Sequence, residues 1–276
     1  MIIVSAATGQ YGRLVVEHLL ERVPAGELAV AVRDSAKAND LAVRGVRVRY
    51  ADYDEPESLV GAFRGADRLL FISSPVVDQD RSRLIQHRNV VAAAGEAGVE
   101  MIAYTSGLSA DVVEADVPIL GDHHVTEQAI QQSGVPYVML RHPLYTELFI
   151  NASLRSAIET GELTSNTGGR GMNTASRADL AEAAAAILTD AEDRVNAYDF
   201  TGRLWTYPDL AAALGEVSGR PVSYREVDED AGAIGMMGLA PFVRSGGFEV
   251  QTPDLEAVLG HPAASLHDAV AAALGS

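Results

Sequence analysis

The chain has 276 residues, is 47% hydrophobic, lacks cysteine and carries a formal net charge of −17. That length suits one large α/β domain, or a large domain with a smaller lobe, and the absence of cysteine excludes disulfides, thiolate metal sites and a cysteine nucleophile, so no metal site is expected. The charge disfavours nucleic acid and anionic membranes, no run approaches the ~18 to 20 apolar residues of a membrane span, and the opening strand implies no signal peptide, so a cytoplasmic protein is expected.

Met1-Ile2-Ile3-Val4 is an apolar run that gives way to Ser5-Ala6-Ala7-Thr8-Gly9-Gln10-Tyr11-Gly12, then to Leu14, Val15, Leu19 and Leu20 at helical spacing. This is a strand, a tight turn and a helix. Such a turn offers backbone N–H groups and the positive end of a helix dipole to a pyrophosphate. A bare G-x-x-G can also serve packing alone, and the following elements decide. Residues 27–32 form a second strand ending at Arg33-Asp34-Ser35-Ala36-Lys37. About 20 residues past the glycine turn such folds meet the adenosine ribose, where an acid suits a free 2′-hydroxyl and a base suits a 2′-phosphate. Arg33, with Lys37 as the only lysine of the chain, points to NADP(H) over NAD(H). Asp34 either opposes this or caps the next helix.

Residues 46–52 alternate like a strand ending at Asp52-Tyr53, and Pro56 with its neighbouring acids opens a helix. Asp52 and Tyr53 lie by the adenine, or Asp52 simply caps. Residues 68–75 are a buried-type strand with the small tip Ser73-Ser74-Pro75. A helix over 81–97 carries Gln86-His87-Arg88-Asn89, and strands follow at 100–106 and 135–142. Strands alternating with helices imply a parallel sheet with right-handed crossovers and ligands at the carboxyl ends of the strands. Gly9, Arg33, Asp52, Ser73, Ser106 and His142 all fall at those ends.

Past residue 145 the alternation weakens. A Gly/Asn-rich loop at 164–172 precedes a capping box at Ser176 and Asp179 and an alanine-rich helix over 180–188. A short strand at 197–200, a helix capped by Thr206, a strand at 222–227, a helix from Thr252 stopping at Gly260 and a last helix capped by Ser265 complete a smaller lobe. Residues 232–248, with Met236, Met237, Phe242 and Arg244, read either as a lid over a substrate cleft or as a plain surface helix and loop.

Several of these stretches carry a family resemblance: the opening Ser-Ala-Ala-Thr-Gly-Gln-Tyr-Gly, Asp52-Tyr53, residues 70–74, Gln86-His87-Arg88-Asn89-Val90, residues 102–106 and Ser133-Gly134-Val135-Pro136-Tyr137. Extending through residues 177–180 and 260–262, the chain resembles the NmrA-like branch of the atypical short-chain dehydrogenase/reductases, and within it the type 2 NAD(P)H:quinone oxidoreductases. The resemblance implies a Rossmann-type doubly wound parallel sheet over 1–150 and a smaller C-terminal α/β substrate lobe over 151–276, with some segments returning to the main sheet. NADP(H) is then expected along Ala6, Thr8, Gly9, Gln10, Tyr11 and Gly12, at Arg33 and Lys37, and by Asp52 and Tyr53. The strand ends Ser73, Ser74, Pro75, Tyr104, Thr105 and Ser106 complete its path, with Gln128 at the ribose.

Three departures matter. Ala6 stands where the family has glycine, His142 where it has asparagine, and Gln128 ends the stretch His123-His124-Val125-Thr126-Glu127-Gln128 where the family has lysine. The tyrosine and lysine of the usual short-chain dehydrogenase correspond to His124 and Gln128, so conventional alcohol oxidation is disfavoured. Hydride transfer to a quinone or enone demands only registered stacking and a hydrogen-bond donor, for which His123, His124, His142 and Tyr145 are candidates; each histidine alone could instead be structural, and His87 has a place near the cofactor. Alternatives are a non-catalytic NADP(H)-sensing regulator and a tailoring reductase of a specialised metabolite. The partner is a small molecule, and a homodimer is entertained.

Overall fold

Strands whose successive residues are nearly all apolar need cover on both faces, the situation of a parallel sheet between helices. The first such strand, β1 (Ile2–Ser5), is buried at every position, as is β2 (Leu28–Val32). The computed structural model describes residues 1–76, 82–113, 117, 119–190, 195–227 and 239–275. With β3 (Arg47–Tyr50), β4 (Arg68–Phe71), β5 (Met101–Gly107), β6 (Tyr137–His142) and β10 (Ala197–Asp199), these strands form a seven-stranded sheet in the order β10-β6-β5-β4-β1-β2-β3. β1 pairs in parallel with both β2 and β4, β2 with β3 and β4 with β5. The chain thus winds outward in two directions from β1, which puts a topological switch point at the end of β1.

The helices of this part are α1 (Gln10–Leu20), α2 (Asn39–Val43), α3 (Pro56–Phe63), α4 (Ser82–Ala97) and α5 (Leu120–Gln132). α1 buries Val15, Val16 and Leu19, while Leu14 and Leu20 are half-buried. A core on one side of the sheet gathers Ile3, Leu69, Phe71, Ile102 and Tyr104 with Leu59 and Phe63 of α3 and Val90 of α4. Their spacing of two along each strand gives that face one continuous apolar surface.

Two compact units divide the chain: Met1–Arg141 with Ala181–Tyr198, and His142–Leu180 with Asp199–Ser276. The sequence reading draws its boundary at 150/151 and has segments returning to the main sheet. What binds 181–198 into the first unit is specific: Arg68 donates to the Leu188 carbonyl, Arg22 lies 3.7 Å from Glu182, and Met139 N–H donates to Asn196 O at 2.9 Å.

The second unit holds β7 (Leu144–Tyr145), β8 (Glu162–Ser165), β9 (Met172–Ala175), β11 (Leu204–Trp205) and β12 (Ser223–Glu226) in small sheets β11-β9-β7 and β12-β8. Its helices are α6 (Arg155–Thr160), the start of α7 (Arg177–Thr189), α8 (Tyr207–Ser218), α9 (Ala240–Arg244), α10 (Asp254–Leu259) and α11 (Leu266–Leu274). Thr206 with Asp209 and Ser265 with Asp268 make full capping boxes. At Ser176 only half the box forms. Asp179 N–H donates to Ser176 Oγ at 3.0 Å, but the Asp179 carboxylate accepts from Ala264 N–H at 3.0 Å. Of the expected lid, residues 232–238 lie outside the described residues. Residues 239–248 carry the short helix α9, with Leu239, Val243 and Phe248 buried.

Candidate functional site

The glycine turn is held by its own backbone. Ala6 N–H donates to Ala31 O at 2.9 Å and Gly9 N–H to Ala6 O at 3.1 Å, which folds the turn back on the strand end. Gly9 caps α1 with no side-chain hydrogen bond, and Gly9 and Gln10 are exposed at the start of the helix. The two glycines do different work. A Cβ at Gly12 would stand 2.8 Å from Ala7 Cα and 2.9 Å from Ala6 O, a packing constraint, whereas one at Gly9 would meet only Ala6 O, at 3.4 Å, leaving that backbone open to approach. Ala6 itself adopts φ 49°, the left-handed region that glycine favours.

At the end of β2, Arg33 is exposed, and among the described residues no hydrogen bond or ion pair engages it. Asp34 proves to be a cap: its carboxylate accepts from Ala36 N–H at 3.1 Å at the start of the 3-10 turn Ser35–Ala38 and lies 3.8 Å from Lys37 Nζ. An exposed guanidinium, a neighbouring ammonium and uncapped helix amides are the donor set that a phosphorylated dinucleotide requires, so these residues fit NADP(H).

The next strand ends differ from expectation in their side chains. Asp52 accepts from Asp54 N–H at 3.0 Å and so holds its own turn. Tyr53 does not present its hydroxyl to an adenine. That group sits 2.6 Å from Ser5 Oγ and 2.9 Å from the Ile72 carbonyl, tying the turn to β1 and the end of β4, and burial raises its pKa. Ser73 N–H donates to Thr105 Oγ1 at 2.8 Å, Ser74 N–H to His87 Nε2 at 2.9 Å, and Pro75 is exposed. Ser106 donates to Glu127 at 2.6 Å, and Glu127 is gripped by Arg141 through bonds of 2.9 and 2.8 Å. The Ser106 proton is therefore used inside the protein, because a buried carboxylate needs every donor within reach.

Two histidines are locked by the same rule. Since Ser74 N–H donates to His87 Nε2, the His87 proton sits on Nδ1 and goes to Thr126 Oγ1 at 2.8 Å; burial, aided by Arg83, holds the imidazole pKa down to about 3. His87 is thus a core residue. Arg83 donates to His123 Nε2 at 2.8 Å, leaving Nδ1 facing the Tyr104 hydroxyl at 2.9 Å. With Tyr104 fully buried and both His123 nitrogens engaged, neither side chain is presented as a donor.

One residue on, and about 100° round α5, the surroundings are different. His124 Nδ1 donates to Ala110 O at 2.8 Å, and its Nε2 accepts from Gln128 at 2.9 Å. His124 is half-buried and Gln128 exposed, so the i, i+4 pair lies at the surface of its helix.

His142 and Tyr145 belong to the second unit. His142 is stacked on Phe200 with ring centres 5.9 Å apart, and burial lowers its pKa to about 3, so it is neutral near pH 7. Arg177 lies 4.3 Å over the Tyr145 ring, and burial, opposed by Arg177, pushes the phenol up to about 12. Tyr145 therefore keeps its proton. Sequence reasoning did not single out Arg13, Arg83, Glu127 or Arg177 as working residues; their partners, Tyr145 for Arg177 among them, lie 14 to 40 residues away, and only the fold brings them together.

The geometry defines a dinucleotide-binding α/β protein. The model of a family described as NAD(P)H-binding matches residues 6–191. Quinone oxidoreductase 2 of Escherichia coli is 37% identical over 284 residues, covering 98% of this chain and 97% of that protein. An NmrA-like family domain-containing oxidoreductase of Aspergillus flavus is 31% identical over 83% of this chain and 75% of its own length. The solved Citrobacter sp. triphenylmethane reductase complexed with NADP(H) is 38% identical with a TM-score of 0.92, covering 99% of this chain and all (100%) of that one. The chain belongs to the NAD(P)H-binding, NmrA-like family. No helix of the described residues is long and apolar enough to cross a membrane.

Proposed function

We propose that this protein is an NADPH-dependent oxidoreductase that reduces a quinone or a related conjugated carbonyl. The observation that carries the reading is Arg33, exposed and unengaged among the described residues just past the end of β2, in the same strand row as the uncapped first turn of α1. NADPH supplies the hydride when bound. The first-turn amides and dipole of α1 hold the pyrophosphate, and Arg33 with Lys37 holds the 2′-phosphate.

His124 and Gln128 stand in for the tyrosine and lysine of the wider superfamily. Gln128 carries no charge, so the pair cannot supply a strongly activated acid for a simple ketone. A quinone spreads its developing negative charge by conjugation and needs a hydrogen bond at one oxygen, for which Tyr145, whose phenol keeps its proton, is the proposed donor. The relatives' names support this substrate class: a quinone oxidoreductase and a triphenylmethane reductase both reduce conjugated acceptors. A homodimer in the cytoplasm belongs to the same reading, and sedimentation of the purified chain tests its oligomeric part.

Calorimetric titration with NADPH and NADH, followed by quinones and enones while nicotinamide absorbance is watched, tests the proposal. Preferential NADPH binding with consumption is expected. Tight binding without consumption on any acceptor would favour the NADP(H)-sensing reading, which the lack of a lysine at position 128 supports.

A further inference from the structure

Arg13 lies one residue past Gly12 on α1; its backbone N–H donates to Gly9 O at 3.0 Å, while its side chain bonds elsewhere. Its Nη1 meets the Asp40 carboxylate and its Nη2 donates to the Lys37 carbonyl. Those partners flank the end of the 3-10 turn Ser35–Ala38, whose start is capped by Asp34. The segment that would read a 2′-phosphate is thus closed at both ends, by Asp34 on its own amide and by Arg13 reaching over from the phosphate-binding helix.

The charges have the same logic. A phosphate dianion is repelled by nearby carboxylates, and this segment has two, Asp34 and Asp40. Lys37 lies 3.8 Å from the first and Arg13 holds the second, so each carboxylate is offset by a cation and Arg33, with Lys37, is left to the ligand. Arg13 suits this task because a planar guanidinium satisfies a carboxylate and a carbonyl at once, as an ammonium holds neither in fixed geometry.

We infer that Arg13 is a specificity-positioning residue: by holding Asp40 and the Lys37 carbonyl it sets the shape and charge of the 33–37 segment for a 2′-phosphate. This rests on the NADP(H) reading above and adds the residue that organises it.

Calorimetric titration of NADPH, NADH and 2′,5′-ADP against the full chain and its Arg13→Leu, Asp40→Ala and Arg33→Ala variants tests it, with unfolding midpoints measured alongside. Arg13→Leu and Asp40→Ala should each weaken NADPH and 2′,5′-ADP by about fivefold, with a smaller change for NADH, and the double variant should be no worse than Arg13→Leu alone. Arg13→Lys should fall between. Removing the Asp40 charge by itself would tighten a phosphate ligand, so tighter or unchanged NADPH binding in Asp40→Ala overturns the inference. Equal loss of NADPH and NADH in Arg13→Leu does the same. Failure of the underlying reading looks different: the unaltered protein would show no NADPH preference, or Arg33→Ala would weaken both dinucleotides equally.

Discussion

At Ala6 a methyl group occupies a backbone conformation, φ 49°, that L-residues other than glycine adopt at a penalty of about 1 to 2 kcal/mol. Glycine there would remove the penalty and add about 0.4 to 1 kcal/mol of unfolded-chain entropy, so Ala6→Gly should raise stability by a few tenths to about 1 kcal/mol. Gly12→Ala should do the reverse, losing about 1 to 3 kcal/mol as its Cβ meets Ala7 Cα at 2.8 Å. Urea unfolding of both variants reads the signs, and a destabilised Ala6→Gly would contradict the left-handed backbone. Residue identity made the Gly9 and Gly12 turn legible. It could not distinguish their tasks, since what a Cβ would strike depends on the packing of α1 against the strand.

Elements were legible where local chemistry decides them. The boxes at Thr206 and Ser265 form from residues three apart, and the strands ending near Gly9, Arg33 and Ser73 follow from runs of apolar residues. Side-chain direction at those ends was not legible. Ser106 and Tyr104 sit on β5, yet their hydroxyls serve Glu127 and His123 on α5, because polar groups at the strand end must be satisfied by whichever helix covers them. Glu127→Ala should therefore cost about 3 kcal/mol, leaving a buried guanidinium under-paired, while replacing Glu127 and Arg141 together by Leu and Met should recover much of that loss. Chemical denaturation of the two variants checks this; an equal or larger loss in the double variant would mean that the bonds Ser106 and Asp111 make to the pair outweigh the burial cost of its charges.

Across the whole molecule the buried histidines couple stability to pH. An unfolded imidazole takes up its proton near 6.5, whereas His87 and His142 stay neutral down to about 3. Their folded pKa values are depressed, so the stability they confer is complete above about pH 6.5 and is lost as pH falls toward 3. At pH 5 each accounts for about 2 kcal/mol, a sizeable part of a domain's usual 5 to 15 or so. Denaturation midpoints at pH 7, 6 and 5 should fall steadily, and His87→Gln should flatten that slope; a flat profile in the unaltered protein would mean that these rings titrate freely.

By itself the sequence did not show the short strands β7, β8, β9 and β11, but it determined the order of β1 to β6 and the helices between them, the glycine turn, the basic residue past the second strand and the absence of a lysine at position 128. Each of these is set by local periodicity or by the chemistry of a single side chain. The tertiary structure alone decided which of the polar residues at the strand ends face outward. His123 and His124 are neighbours in sequence, and a helix turns successive side chains about 100° apart, so one is spent on Arg83 and Tyr104 in the core while the other pairs with Gln128 at the surface.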